Sequence, residues 1–531
     1  MKLVRPAALL ISAALAVGGA GEAHAQKRGG ILRSFLPDNP PSASIHEEST
    51  ISVAMPFSAL YNNLVFFDHT KKRDAFDTII PELATSWKWS EDNTRLTFQL
   101  REGVKWHDGK PFTSADVKCT WDMLAGKTEA KLRKNPRKSW YRNLKEVTTN
   151  GPTEVTFVLG RPQPSLLMML AGAFSPVYPC HVPAAQMRTK PIGTGPFKFV
   201  SFKQNEGIKL TRNPDYWKKG EPYLDGIEWT MIPSRSTAIL AFVSGQVDLT
   251  YTNTLTAPLL RDVKQQSPDA VCAMEASNVQ NTLVVNREVA PFDDPDIRRA
   301  MMLAIDRKAF VNSIFDGEAI IGGSMLPPPA GQWGMPAEKL SDVPGYGDDV
   351  EKARAEGRKL MEAHGYGPDK PLKVKVSTRN HPAYRDPAVL LIDHLKNVYI
   401  DGELDLLDTS VWYARMVRKE YQVGLNTSGI GIDDPDVNFY ENFACGSERN
   451  YTRYCNPEMD KLFDQQSAMT DMKQRKELVW KIDKMLQMDG ARPVIAHTRG
   501  GTCWHPYVKG VDIPINGIYN HWRFDDVWMD K

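Results

Sequence analysis

The apolar positions of this chain switch between the two-residue period of strands and the 3.6-residue period of helices. The clearest run lies between Pro81 and Leu124. Leu96, Phe98 and Leu100 alternate with Thr97 and Gln99, which predicts a half-buried strand. Glu91-Asp92-Asn93 ahead of it is turn chemistry, because short polar side chains bond their own backbone. Val104 and Trp106 predict a second strand, closed by the turn His107-Asp108-Gly109-Lys110-Pro111. Thr113 or Ser114 caps a following helix, with Asp116 near the positive end of its dipole. Val117, Thr120, Trp121 and Leu124 share one face of that helix.

The same reading extends along the chain. Gly29 to Leu36 predicts a strand, and Ser52 to Phe67 carries Met55, Phe57, Leu60 and Leu64 at helical spacing. Val155–Leu159 predicts a strand and Leu166–Leu170 a buried helix start, whose Met168 and Met169 are core filler. Gly193-Thr194-Gly195-Pro196 lacks the further residues of a phosphate loop, so it is a tight turn before the strand Phe197–Phe202. Ala238–Val243 is a helix stopped by Gly245. Asp294 with Pro295 opens a helix whose apolar face is Ile297, Met301, Ala304 and Ile305. The strand Leu372–Val376, the helix Val389–Val398 and the strand Glu403–Leu407 follow in the order of an α/β lobe.

With 531 residues, 42% hydrophobic and 24% charged, the chain has material for large cores and several domains. Met1 to Ala25 reads as a secretory signal: Lys2 and Arg5, then the apolar Ala7–Val17, then the cleavage site Ala23-His24-Ala25. The remaining 506 residues hold 64 basic and 63 acidic side chains, so no net field favours nucleic acid or an anionic membrane. The basic run Lys131 to Lys138 is expected to be a solvated loop. No cysteine precedes Cys119, which leaves no lipid-acceptor cysteine behind the leader. The expected product is exported and free of a lipid anchor, in the periplasm of a Gram-negative cell. Six cysteines then meet an oxidising compartment. Cys119, Cys180, Cys272 and Cys503 allow three pairings, or remain buried thiols.

Catalytic equipment is not visible. There is no G-x-S-x-G elbow, no H-E-x-x-H helix and no C-x-x-C zinc spacing. Asp433, Asp434 and Asp436 cluster, but without a calcium-loop pattern, so a helix cap or ligand loop is preferred over a metal. No cofactor is implied. A large exported α/β protein of this kind is either a binding protein or an exported hydrolase of amide or glycosidic substrates.

The Pro81–Leu124 stretch resembles the signature of the bacterial extracellular solute-binding proteins, family 5. It carries P-x-L-A-x-S-W, then S-x-D, then F-x-L-R-x-G-V-x-W-H-D-G, then P-F-T-x-x-D-V. PIGTGPFKF, RNPDYWKKGEPYLDGIEW, DDPDIRRAMMLAIDRKAF and DDPDVNFYENFAC follow in the family's order. The resemblance implies a two-lobed periplasmic binding fold, type II and cluster C-like, with an extra subdomain in lobe I and two hinge crossings. The boundaries it implies are 26–280 for lobe I with the extra subdomain near 68–190, 281–495 for lobe II, and 496–531 returning to lobe I. It also implies a monomer that closes on a peptide-like or other polar solute and docks on the permease subunits of an ABC importer, with no nucleic acid partner.

The resemblance also places site residues. Arg385 stands where the dipeptide branch clamps the ligand carboxylate, and a guanidinium suits that task through two parallel donors. Its competing assignment is a surface arginine paired with Asp386. Trp412 matches a pocket tryptophan, with plain core packing as its alternative. Ser428, Gly429, Asp433 and Asp434 lie in the family's ligand loop. Gly431 and Ser428 replace the aspartate that binds an α-amine and the tryptophan beside it, so the ammonium anchor is missing unless Asp433 or Asp434 has moved in. Related proteins carry a disulfide where this chain has Cys445 and Cys455.

Overall fold

The computed structural model describes residues 26–129 and 131–531; the leader assigned to residues 1–25 lies outside them. A four-stranded sheet orders Ile31–Leu36, Gly226–Met231, Gly207–Arg212 and Phe197–Lys203. A second four-stranded sheet, antiparallel, orders Ala84–Trp89, Arg95–Leu100, Glu154–Leu159 and Leu144–Thr149, and the helix Ser114–Leu124 packs on it. A five-stranded mixed sheet orders Ile400–Leu407, Leu372–Arg379, Val423–Gly429, Val271–Val285 and Val494–Trp504.

Two large apolar cores divide these elements. The first takes Leu32, Phe35, Trp121, Phe157 and Trp229; the second takes Leu283, Ile297, Val376, Leu391 and Val423. The long strand Val271–Val285 passes from one to the other: Val279 sits in the first core and Leu283 in the second. Its ladder with Val494–Trp504 shifts register between Ala276 and Gln280, at that passage. Val437, Phe439, Phe463 and Ile482, all from the 430–486 stretch, pack in the first core. The fold is therefore two-lobed α/β.

Local chemistry explains most elements. Leu96, Phe98 and Leu100 are buried along Arg95–Leu100 while their neighbours are not. The Asp116 carboxylate accepts the Thr113 N–H at 3.0 Å and so closes the start of its helix. Asp294 accepts from the Asp296 N–H at 2.8 Å, ahead of Pro295. At Gly193 and Gly195 a Cβ would lie 1.7 Å from the Leu60 carbonyl oxygen and 2.4 Å from its carbon. Only glycine allows the two backbones to approach this closely.

Three expectations change. Val104 and Trp106 are buried, but the strand is reduced to one bridge, Lys105 to Pro111, because the turn closes too soon for a ladder. The stretch 52–67 breaks into a helix Ile51–Phe57, a 3₁₀ turn and the strand Val65–Phe67, since Val65 to Phe67 pair with Ile79–Pro81 instead of extending the helix. The basic run 131–138 is tied down rather than solvated: Arg133 and Lys134 bond Glu48 at 2.7 and 2.8 Å, and Arg137 is buried.

All six cysteines are paired, as Cys119–Cys180, Cys272–Cys503 and Cys445–Cys455. The last closes a loop of sequence separation 10. The double variant Cys445→Ser/Cys455→Ser is expected to lose about 3 kcal/mol of stability, because the unfolded chain regains the entropy of that loop. Denaturant unfolding checks this; an unchanged midpoint would remove the bridge from the stability account.

Candidate functional site between the lobes

A cavity of about 240 Å³ lies between the two cores. One wall comes from the first lobe, with Phe35, Ser52 and Tyr251; the other comes from the second, with Arg379, Tyr384 and Tyr413. Arg379 ends the strand Leu372–Arg379, at the carboxyl edge where ligand sites of α/β sheets collect. Its side chain is 3% exposed. Its Nε donates to Thr409 Oγ1 at 3.1 Å, one terminal nitrogen to the Tyr384 hydroxyl at 2.6 Å, and the other to Asp38. Asp38 also accepts from Ser52 Oγ at 2.5 Å and from Thr409. Burial pushes the Asp38 carboxyl up, yet the Arg379 guanidinium above all holds it below the usual range. Asp38 follows the first-lobe strand Ile31–Leu36, so this ion pair joins the two lobes at the cavity wall.

The helix after Arg379 begins earlier than its apolar spacing suggests. His381 Nδ1 accepts the Ala383 N–H at 3.1 Å and Pro382 takes the first position, so the helix runs Pro382–Lys396. Burial lowers His381 to about 4, which keeps the imidazole neutral for this cap.

Tyr519 and Tyr413 close another side of the cavity, and a buried arginine cluster stands behind them. Arg449 pairs with Glu441, which also accepts the Trp140 indole N–H at 2.8 Å. Arg492 donates to Asn442 Oδ1 at 2.6 Å and to Ser428 Oγ at 3.0 Å. Arg137 lies 3.5 Å over the Phe174 ring and donates to the Glu48 carbonyl at 2.7 Å. Arg137 Nε and Nη2 and Arg449 Nε are buried without a partner. Burial, and then the neighbouring Arg449, lower Arg492 to about 10; burial above all does the same to Arg137. Glu441 is ion-paired with Arg449 and its charge also acts on Arg137 and Arg492, which have no ion pair of their own among the described residues, so the surplus charge of the cluster is positive.

Of the residues marked in the sequence, Gly429 lines the cavity and its N–H donates to the Tyr519 hydroxyl oxygen at 3.3 Å. Arg385 sits within the helix rather than ahead of it. Its side chain is 44% exposed and bonds Asp386 at 3.1 Å, the surface pairing that competed with the clamp assignment. Trp412 is fully buried against Val284, Met416 and Tyr451. Ser428 holds Arg492. Asp434 caps the helix Pro435–Asn442 and pairs with Arg475 at 2.8 Å. Asp433 accepts the Gln332 N–H at 2.9 Å. Neither acid lines the cavity, and a Cβ at Gly431 would lie 3.1 Å from the Trp140 ring, so a larger side chain at that position would crowd the indole.

Asp433 carries a prediction. Burial, followed by the charge of Asp434, pushes its carboxyl up to about 7. The folded protein therefore keeps a proton that the unfolded chain loses near pH 4, so this group's contribution falls as pH rises from about 4 to about 7. Asp433→Asn is expected to raise stability at pH 8 by roughly 2–4 kcal/mol and to change it little at pH 4. Unfolding of both proteins across that range checks it; parallel curves would contradict it.

Arg379, Asp38 and the arginine cluster carried no motif. One signal for Arg379 was available: an arginine continuing an apolar strand at its carboxyl end, before the turn Asn380-His381-Pro382.

Comparisons with known proteins follow the same lines. The model of bacterial extracellular solute-binding proteins, family 5, matches residues 78–450. A probable di/tripeptide-binding protein 5 of Pseudomonas aeruginosa is 25% identical over 487 residues, covering 86% of this chain and 87% of that protein. The dipeptide-binding protein of Escherichia coli is 25% identical over 477 residues, covering 85% of each. Among solved structures, the Helicobacter pylori binding protein DppA in complex with the peptide STSA superposes with a TM-score of 0.81 at 23% identity, covering 95% of this chain and 99% of that one. The binding protein AgaA in complex with agropinic acid, from A. tumefaciens R10, gives 0.82 at 23% identity, over 94% and 99%. The matched family consists of substrate-binding proteins and not enzymes, so the hydrolase alternative falls away. The chain belongs to the bacterial extracellular solute-binding proteins, family 5.

Proposed function

We propose that this protein is the periplasmic solute-binding subunit of an ABC importer and that its solute is a small acid lacking the α-ammonium recognition of a free peptide. The observation that carries the reading is the buried cavity between two lobes, joined across its wall by Arg379 and Asp38. A solute that touches both walls only when the lobes are closed shifts the population to that form, and the closed form is what a permease engages.

Three features support the ligand class. The cavity, about 240 Å³, is below the range of roughly 300–1,000 Å³ that takes drug-sized ligands. The surplus positive charge of Arg137, Arg449 and Arg492 behind Tyr519 favours an anionic group. Position 431 is a glycine, and Asp433 and Asp434 lie outside the cavity lining, so the loop offers the cavity no carboxylate for an α-amine. An acid conjugate or modified peptide meets these conditions better than an unmodified dipeptide.

Native mass spectrometry of freshly purified protein, followed by titration with the released solute and with a panel of dipeptides, tests the proposal. An intact anionic small molecule that rebinds supports it. Equal or tighter binding of free dipeptides would overturn the ligand class, and turnover of the solute would overturn the carrier role.

A further inference from the structure

Away from the interlobe cavity, the C-terminal segment crosses the loop that follows the strand Val65–Phe67. His69 of that loop and Asp525 and Asp526 of the segment bring their donor atoms within 4.8 Å of one another. We propose that His69, Asp525 and Asp526 form a binding site for one divalent transition-metal ion of the zinc type, which fastens the C-terminal segment to the first lobe.

The donor set fits such an ion. Imidazole nitrogen with carboxylate oxygen is a zinc-type combination, whereas calcium and magnesium take oxygen alone. His69 Nε2 is buried with no hydrogen-bond partner. That nitrogen can present its lone pair to a metal when the other ring nitrogen carries the proton. The ring is held in place by His521, stacked at 4.3 Å, and by Phe66, edge-on at 4.3 Å. His521 is itself fixed by Asp74 at 3.0 Å.

The acids are suited in different ways. Asp525 uses one oxygen, Oδ2, for Lys218 at 2.6 Å and Tyr216 at 3.2 Å. Its other oxygen remains available to a metal. Lys218 is committed to Asp525, and Asp526 has no ion-pair partner among the described residues. A void of about 10 Å³, lined by His69, His521 and Asp526, has room for about one water-sized particle. The backbone around it is held in the left-handed region at His521 and Phe524, with φ of 67° and 60°, although neither is glycine.

The site shares no lining residue with the interlobe cavity, so its failure and that of the proposed function are separable. Tag-free protein is treated with EDTA, dialysed, incubated with zinc chloride and desalted, then measured by elemental analysis and thermal unfolding. One equivalent of zinc and a raised unfolding midpoint are expected. His69→Ala and Asp526→Asn should each lose the bound zinc and the zinc-induced rise while keeping a cooperative transition without metal. A second His/Asp cluster, Asp294, Asp296 and His364, supplies the control: His364→Ala should leave both readouts unchanged. Failure of the parent protein to retain zinc would overturn the proposal, as would zinc retained by both His69→Ala and Asp526→Asn or lost in His364→Ala.

Discussion

Arg379→Ala is expected to weaken solute binding by roughly 2–5 kcal/mol, about 30- to 5,000-fold. The reason is double. The guanidinium serves Asp38, Thr409 and Tyr384 at once, so its removal leaves the buried Asp38 without its main counter-charge. That loss falls on the closed form, where the two lobes meet, so closure weakens along with direct contact. Arg379→Lys should fail in large part, because a single ammonium cannot reproduce a planar fork that spans three acceptors. Arg385→Ala, which removes a half-exposed side chain paired with its neighbour Asp386, should change affinity no more than a few-fold. Calorimetric titration of the three variants with the solute released from the native protein decides between the two arginines. Small-angle scattering should show compaction by solute in the parent protein and in Arg385→Ala, but not in Arg379→Ala. If Arg379→Ala binds and compacts like the parent, the cross-lobe pair is not part of the binding mechanism.

The second large effect is expected at Asp436, and it concerns stability. This carboxylate is fully buried and accepts from Ser165 at 2.6 Å, Gln163 at 3.2 Å and Arg475 at 3.3 Å, as well as from Gln466 and Ser467. It joins the stretch beside the helix Leu166–Ala171 to the helices Pro457–Ser467 and Met472–Met488. Asp436→Ala strands several buried donors at once and is expected to cost about 3–5 kcal/mol. Asp436→Asn keeps the shape and part of the acceptor capacity, so it should cost less. Denaturant unfolding measures both; a loss under about 1 kcal/mol for alanine would show that water or neighbouring groups replace the carboxylate. The D-P-D motif is, on this reading, a bolt within the protein, with Asp434 as helix cap and partner of Arg475.

The difference between Arg385 and Arg379 shows where sequence reading stops. Both arginines lie within a few residues of one turn. Which of them meets the cavity depends on where the helix begins, and His381 sets that point through a side-chain cap that apolar periodicity does not register. Trp412 is similar: its place on the apolar face of the helix Thr409–Arg418 was readable, but whether that face meets a pocket or a core is a tertiary matter, and it meets Val284 and Tyr451.

The sequence by itself determined the strands and helices with clear alternation or capping, such as Arg95–Leu100, Ser114–Leu124 and Pro295–Ala304, and its ordered motifs determined the family. These are local properties: period, cap and turn residue are set by neighbours in the chain. Only the tertiary structure decided which cysteines pair, that Arg137 is buried rather than solvated, and that Asp38 meets Arg379 across 341 positions of sequence. It also gathered Arg137, Arg449 and Arg492 around Glu441. Charged side chains carry no periodic signature of their partners, because a buried ion pair is fixed by where two distant backbones come together, and that depends on the packing of both cores at once.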